Sequence, residues 1–338
     1  WNPGDRSAYF NPYLAAVSRL CHAAIEFLRP VFFRLPARLI AAFSLLFMLV
    51  FRALMFRSML SPGNPAWTLS LGFEGKYRMP LEDPLKDSYV LEYGMSNTDD
   101  EDTESLETTV RFTREWKFDN GWTQRVFFGS TYEDYTQADE SGAVLLLYPG
   151  VSWNRTRTRP KTFPMWGDRQ QLTFEYGDQM WGSDVTFLRS QFNTNWIRSI
   201  GDNHRFVARI GVGHVDTDNF DDMPPSMRFF TGGDNSVRGY DYEALGPVDA
   251  QGVVQGGRHL LTTSIEYEHP VSGEDWWVAA FADAGNAFDK TNDIDVKAGY
   301  GVGVRWYSPI GRVRLDLAFP DDTTKDDWRL HFGLGADL

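Results

Sequence analysis

The sequence predicts an all-β protein, a transmembrane antiparallel β-barrel, and three observations carry that prediction. From residue 62 onward apolar and polar side chains alternate with period two, the mark of strands whose two faces meet different surroundings. The alternating runs approach about ten residues and their apolar faces end in Trp, Tyr and Phe, as lipid-facing strands with aromatic girdles do. Short turns alternate with longer acidic loops, the asymmetry of a barrel with a turn side and a loop side. A soluble sandwich also alternates, but its strands are about 5–6 residues long and its polar face meets water. Here that face mixes charge with glycine.

Taken in order, residues 1–61 form an atypical segment. Up to residue 60 it carries seven arginines against Asp5 and Glu26, shows no period-two alternation, and reads as Arg-, Leu- and Phe-rich helix. Its longest charge-free apolar run, Leu39 to Phe51, falls short of the roughly 20 residues of a membrane-spanning helix. No intact signal peptide is recognisable, and the chain reads as a piece of a longer precursor. Residues 62–338 form the barrel domain, with thirteen strands expected near 66–80, 88–97, 105–118, 122–134, 142–156, 168–178, 184–198, 204–216, 258–269, 275–284, 296–307, 311–319 and 327–336. Asp119-Asn120-Gly121, Gly201-Asp202-Asn203, Pro270 to Gly273 and Ser308 to Gly311 have turn chemistry. Asn97–Glu104, Thr217–Gly257 and Gly285–Val296 are the acidic loops, and Arg157–Gly167 is too long for its turn side. Thirteen is odd where bacterial barrels of this kind have even counts, so at least one strand lies upstream. Residues 1–60 have room for about three strands, which favours a misread or out-of-frame stretch there over a surface helix or a helical plug.

Composition closes off other classes. With 33 Lys+Arg against 46 Asp+Glu the net charge is −13, which argues against a nucleic-acid partner. Cys21 is the single cysteine, so disulfide scaffolds and cysteine metal cages are excluded. The six histidines fall on different strands or turns, and no Gly-x-Ser-x-Gly or His-Glu-x-x-His occurs, so no catalytic constellation, cofactor or metal is expected. The carboxylate runs Asp99–Glu104 and Asp321–Asp327 read as solvated loops.

The longest loop holds Arg228-Phe229-Phe230-Thr231-Gly232-Gly233, then Val237-Arg238-Gly239-Tyr240. With Phe281-Ala282-Asp283-Ala284-Gly285, Gly299 to Trp306, Ser308-Pro309-Ile310-Gly311 and Leu315-Asp316 following in order, residues 62–338 resemble the BamA/TamA family of outer-membrane assembly barrels. Tyr148-Pro149-Gly150-Val151, Trp166-Gly167-Asp168 and Trp181-Gly182-Ser183-Asp184 bring the chain nearest the TamA branch, the translocation and assembly module. Arg312 stands where that family more often has Pro, a departure expected to matter little.

The resemblance implies sixteen strands, a bacterial outer-membrane location, and a loop folded inward so that Arg238 pairs with Asp283. Physically, Arg238 offers a planar fork suited to an enclosed carboxylate, and Glu266, Arg305, Arg314 and Asp316 lie on polar faces as supporting lumen residues. The implied activity is insertion of client β-barrels, autotransporters among them, through a lateral seam, with the lipid bilayer and an inner-membrane-anchored TamB-like protein as partners. The glycine-containing last strand, with Arg329, His331, Gly333 and Gly335, is the expected client-pairing edge, because an under-paired strand accepts another by β-augmentation. A two-partner secretion transporter shares the Val-Arg-Gly-Tyr loop but passes its client through the lumen, and is the alternative.

Overall fold

A computed structural model describes residues 71–99, 103–137, 140–159, 163–273, 275–292, 294–308, 311–321 and 328–335. Segment 1–61, and with it the question of upstream strands, lies outside the described residues. Ser70–Thr98 and Asp102–Leu338 form one compact unit. It is a single antiparallel sheet whose thirteen strands follow one another in chain order. They are β1 (Leu71–Pro80), β2 (Asp87–Asp99), β3 (Thr103–Lys117), β4 (Thr123–Gln137), β5 (Glu140–Arg159), β6 (Trp166–Gly177), β7 (Phe187–Ile200), β8 (His204–Thr217), β9 (His259–Ser272), β10 (Trp276–Phe288), β11 (Lys297–Ser308), β12 (Gly311–Pro320) and β13 (Arg329–Gly335). Among the described residues β1 and β13 each have one neighbour, so the sheet has two edges.

Two expected loops are shorter than the sequence implied. Only three residues separate β2 from β3, and β5 with β6 run on to Arg159 and from Trp166, so the overlong turn shrinks to residues 160–165. The added rungs, Arg157↔Asp168 and Arg159↔Trp166, sit at a rim where both faces of β5 are polar. Alternation, the only local strand signal, is lost there although the backbone ladder continues.

The two faces are inverted relative to a soluble protein. Along β10 exposure alternates residue by residue: Trp276 is 45% exposed and Trp277 3%, Val278 41% and Ala279 4%. Tyr300, Val302, Val304 and Trp306 of β11 and Leu330, Phe332 and Leu334 of β13 extend the outward apolar band. Burying such residues is worth about 1.5–3 kcal/mol each, and in the absence of protein cover lipid is the phase that supplies it. The inward face is charged around β9–β12 and apolar around β4–β8. There Tyr148, Phe187 and Val215 pack on Met223, Met227 and Phe229 from the β8–β9 loop. No helix among the described residues is long and apolar enough to cross a membrane.

Candidate functional site: a loop anchored in a buried charge ladder

The β8–β9 loop, residues 218–258, leaves the sheet and turns back onto its inward face. Its first limb is held by apolar packing and by Arg228, whose Nε donates to the Met223 carbonyl at 2.7 Å and whose Nη2 reaches Glu140 at 3.3 Å. Its tip carries Arg238, fully buried. The guanidinium grips Asp283 of β10 bidentately, Nε to Oδ2 at 2.7 Å and Nη2 to Oδ1 at 3.0 Å. Nη1 donates to Glu266 of β9 at 2.8 Å and to Asp316 of β12 at 2.9 Å, and the Arg238 amide donates to Asp283 at 3.1 Å. The Phe281 ring lies under the guanidinium carbon at 3.4 Å. Burial opposes charge on Arg238, but the Asp283 hydrogen bonds and the attraction of Asp283, Glu266 and Asp316 outweigh it, so its pKa is raised above the ordinary arginine value.

From this point a ladder of ion pairs descends towards the turn side. Arg305 joins Glu266 at 2.8 Å to Asp316 at 2.5 Å and lies 3.6 Å from Glu268. Arg312 reaches Glu266 at 3.2 Å and Glu268 at 3.4 Å, and Arg205 pairs with Glu268. Four guanidiniums (Arg205, Arg238, Arg305, Arg312) thus face four carboxylates (Glu266, Glu268, Asp283, Asp316), which lets so many charges share one interior. At the foot, Phe163 and Pro164 close over the ladder. Phe163 packs against Trp277 and Tyr307, with ring centroids 5.3 and 4.1 Å away, and the Pro164 carbonyl accepts from Arg205 at 2.9 Å.

The structure brings Arg238, Asp283, Glu266, Arg305 and Asp316 together. Val237 is fully buried against Tyr240 and Leu245, and the Tyr240 hydroxyl donates to Asp321 at 2.5 Å. Gly239 has φ of 101°, and a Cβ there would stand 2.9 Å from the Pro320 nitrogen, so both backbone and space demand glycine. Arg314 stands apart from the ladder and instead donates to the Asp234 carbonyl and the Asn235 side chain at the loop tip. Gly333 makes room for it, since a Cβ there would fall 2.2 Å from Arg314 Nε.

Arg329 and His331 of the last strand also turn inward. Arg329 pairs with Asp241, and His331 accepts the Gly239 amide on Nε2 at 2.9 Å while Nδ1 donates to Asp234 at 2.5 Å. The side chains of this edge therefore hold the loop, and what β13 leaves open is its backbone. Replacing His331 with Ala leaves the buried Gly239 amide unpaired, a cost of about 1–3 kcal/mol. Hydrogen exchange of β13 amides should accelerate while β10 and β11 stay protected; unchanged β13 exchange would show that the loop does not hold this strand.

The expectation for Arg312 needs correcting: from the head of β12 its guanidinium reaches Glu266 and Glu268 of β9, inside the ladder. Glu268 and Arg205 were not foreseen, although Glu268 shares a strand face with Glu266 and that spacing was the available signal. The histidines are less scattered than the chain order implied. His214 and His259 stack with centroids 4.7 Å apart, and His204 lies 5.3 Å from His269.

An antiparallel sheet with an outward apolar band, a charged interior and a long loop anchored there defines a class, the outer-membrane β-barrel with an inward-folded loop. A family model, the Omp85 superfamily domain, matches residues 56–338, and the chain belongs to that superfamily of outer-membrane barrels. The outer membrane assembly factor BamA of Nitratidesulfovibrio vulgaris is 27% identical over 234 residues, covering 64% of this chain and 29% of its own length. The chloroplastic outer envelope protein 80 of Arabidopsis thaliana is 33% identical over 142 residues, 39% of this chain and 17% of its own. Among solved structures, BamA from Haemophilus ducreyi lacking POTRA domains 1–3 superposes with a TM-score of 0.67 at 16% identity, over 78% of this chain and 61% of that one. CdiB from Acinetobacter baumannii gives 0.53 at 14% identity, over 78% of this chain and 50% of that one. The chain spans less than a third of the length of the curated relatives it matches.

Proposed function

We propose that this barrel is the membrane domain of a TamA-type assembly factor, which inserts client β-barrels such as autotransporters through a seam beside β13 without chemical catalysis. One observation carries the reading: the anchored loop is tied to Asp283 and, through His331 and Arg329, to a strand whose outer edge has no partner among the described residues. An open edge is a template for an incoming strand, and the loop holds that template in shape. Residues 62–338 would form the barrel and 1–61 a separate segment, with a TamB-like protein as the inner-membrane partner. The secretion-transporter alternative shares the Val-Arg-Gly-Tyr loop and differs in sending its client through the lumen. A polypeptide crossing the lumen must first break the Arg238–Asp283 pair and displace Phe163.

A photo-crosslinker placed in the full-length protein at Leu334, on β13, tests this in cells making an autotransporter. Capture of the client's terminal strand at Leu334, and none at the inward-facing Asn193, is the expected result. Capture at Asn193 alone would replace the seam with the lumen as the client's route.

A further inference from the structure

On the outward face at the turn-side end of β5–β7, four arginines share two indoles and one carboxylate. Arg157, Arg159 and Arg198 lie over the Trp166 ring with guanidinium carbons 5.3, 5.5 and 4.7 Å from its centroid, and Arg155 lies 4.6 Å over Trp122. Asp168, fully buried, takes Arg157 at 2.6 Å and Arg155 at 3.8 Å. Arg198 spends its Nη1 on the Gly167 and Ile197 carbonyls, and among the described residues no carboxylate pairs with it or with Arg159. Arg155 Nε is buried with no hydrogen-bond partner among the described residues. Four cations against one anion, with an orphaned donor, make a site short of negative charge.

The second observation lies two rungs further into the membrane. A mainly apolar groove of about 380 Å³ runs beside Arg155, walled by Phe118, Trp122, Trp153, Leu172 and Phe192, with the amides of Asn120, Gln170 and Gln171 also lining it. Trp153 and Trp122 stand on the same outward face as Arg155, so groove and arginines form one surface, greasy inside and basic at the rim.

We propose that this surface binds one anionic phospholipid of the periplasmic leaflet, its phosphate among Arg155, Arg159 and Arg198 and an acyl chain in the groove. The depth order matches a lipid, since short turns face the periplasm and the arginines sit beyond the apolar band, where headgroups begin. Snorkelling alone explains a single rim arginine. It leaves unexplained three guanidiniums sharing one ring, because Asp168 pairs with Arg157 alone of the three and like charges held that close repel.

The full-length protein, reconstituted into phosphatidylcholine vesicles containing a minority of phosphatidylglycerol, is probed with spin-labelled forms of each lipid and the immobilised fraction is read. Wild type should retain phosphatidylglycerol preferentially. The pair R155Q/R159Q, which spares the Arg157–Asp168 contact, should lower that preference by roughly tenfold. The pair K86Q/K117Q, with the same charge change elsewhere on the turn side, should leave it intact. L172W, which fills the groove and keeps every arginine, should release the immobilised lipid. Equal retention of both lipids by wild type, an unchanged preference in R155Q/R159Q, an equal loss in K86Q/K117Q, or retention in L172W would each overturn the site. Heat-modifiable migration reports folding, and if the arginine pair does not fold, L172W decides.

Discussion

Replacing Arg238 with alanine should leave the barrel in the outer membrane and abolish most of its assembly activity. The substitution strips the bidentate partner from Asp283 and one cation each from Glu266 and Asp316, all within a buried interior. Breaking such a pair from one side costs about 3–5 kcal/mol, because the carboxylate left behind stays desolvated. The strand ladder does not pass through Arg238, so the cost falls on the loop. The measurement is protease cleavage within residues 218–258 on intact cells, alongside client insertion and heat-modifiable migration. New cleavage with normal migration is the expected pattern. Arg238→Lys should fall between the two, since an ammonium cannot span Asp283 bidentately while reaching Glu266 and Asp316. A loop that stays protected and clients that still assemble would refute the anchor.

Gly299→Ala should reproduce much of that phenotype with no change of charge. A Cβ on Gly299 would stand 1.8 Å from the Arg238 carbonyl oxygen, a backbone atom that cannot swing aside. On the same strand a Cβ at Gly303 would meet Asp316 Oδ1 at 1.9 Å. Overpacking costs about 1–3 kcal/mol, and here the loop must lift to relieve it. Because both substitutions act on one contact, the double variant Arg238→Ala/Gly299→Ala should be far from additive. Gly72→Ala, with nothing within 4 Å of its added methyl, is the silent control. If Gly299→Ala keeps the loop as protected as wild type does, the tip does not rest on β11.

These two results would join features that looked unrelated in the sequence. The glycines that alternate with Tyr300, Val302 and Val304 weaken β11 as a strand, yet at Gly299 and Gly303 they leave the lumen face bare so that loop backbone and carboxylate can lie directly on the sheet. The same logic places Gly333 under Arg314 on the last strand.

The thirteen strands were legible in order because most report their surroundings locally, an apolar residue for lipid alternating with a polar or small one for the interior; around β4–β8, where the inward face is itself apolar, run length and turn chemistry mark the strands instead. Their ends were not, as at Arg157–Arg159, where both faces turn polar. The pairing of Arg238 with Asp283 across 45 positions came from the resemblance, with no spacing to announce it. The roles of Arg312, Arg205 and Glu268 are hidden in the sequence for the same reason, since each pairs with a group distant in the chain.

By itself, then, the sequence determined which face the residues of the alternating strands present, since side-chain alternation is a property of neighbouring residues. Which charges meet inside was decided by tertiary structure alone. The register of β8 to β12 and the path of the returning loop are set by long-range pairing, and only they bring four guanidiniums to four carboxylates.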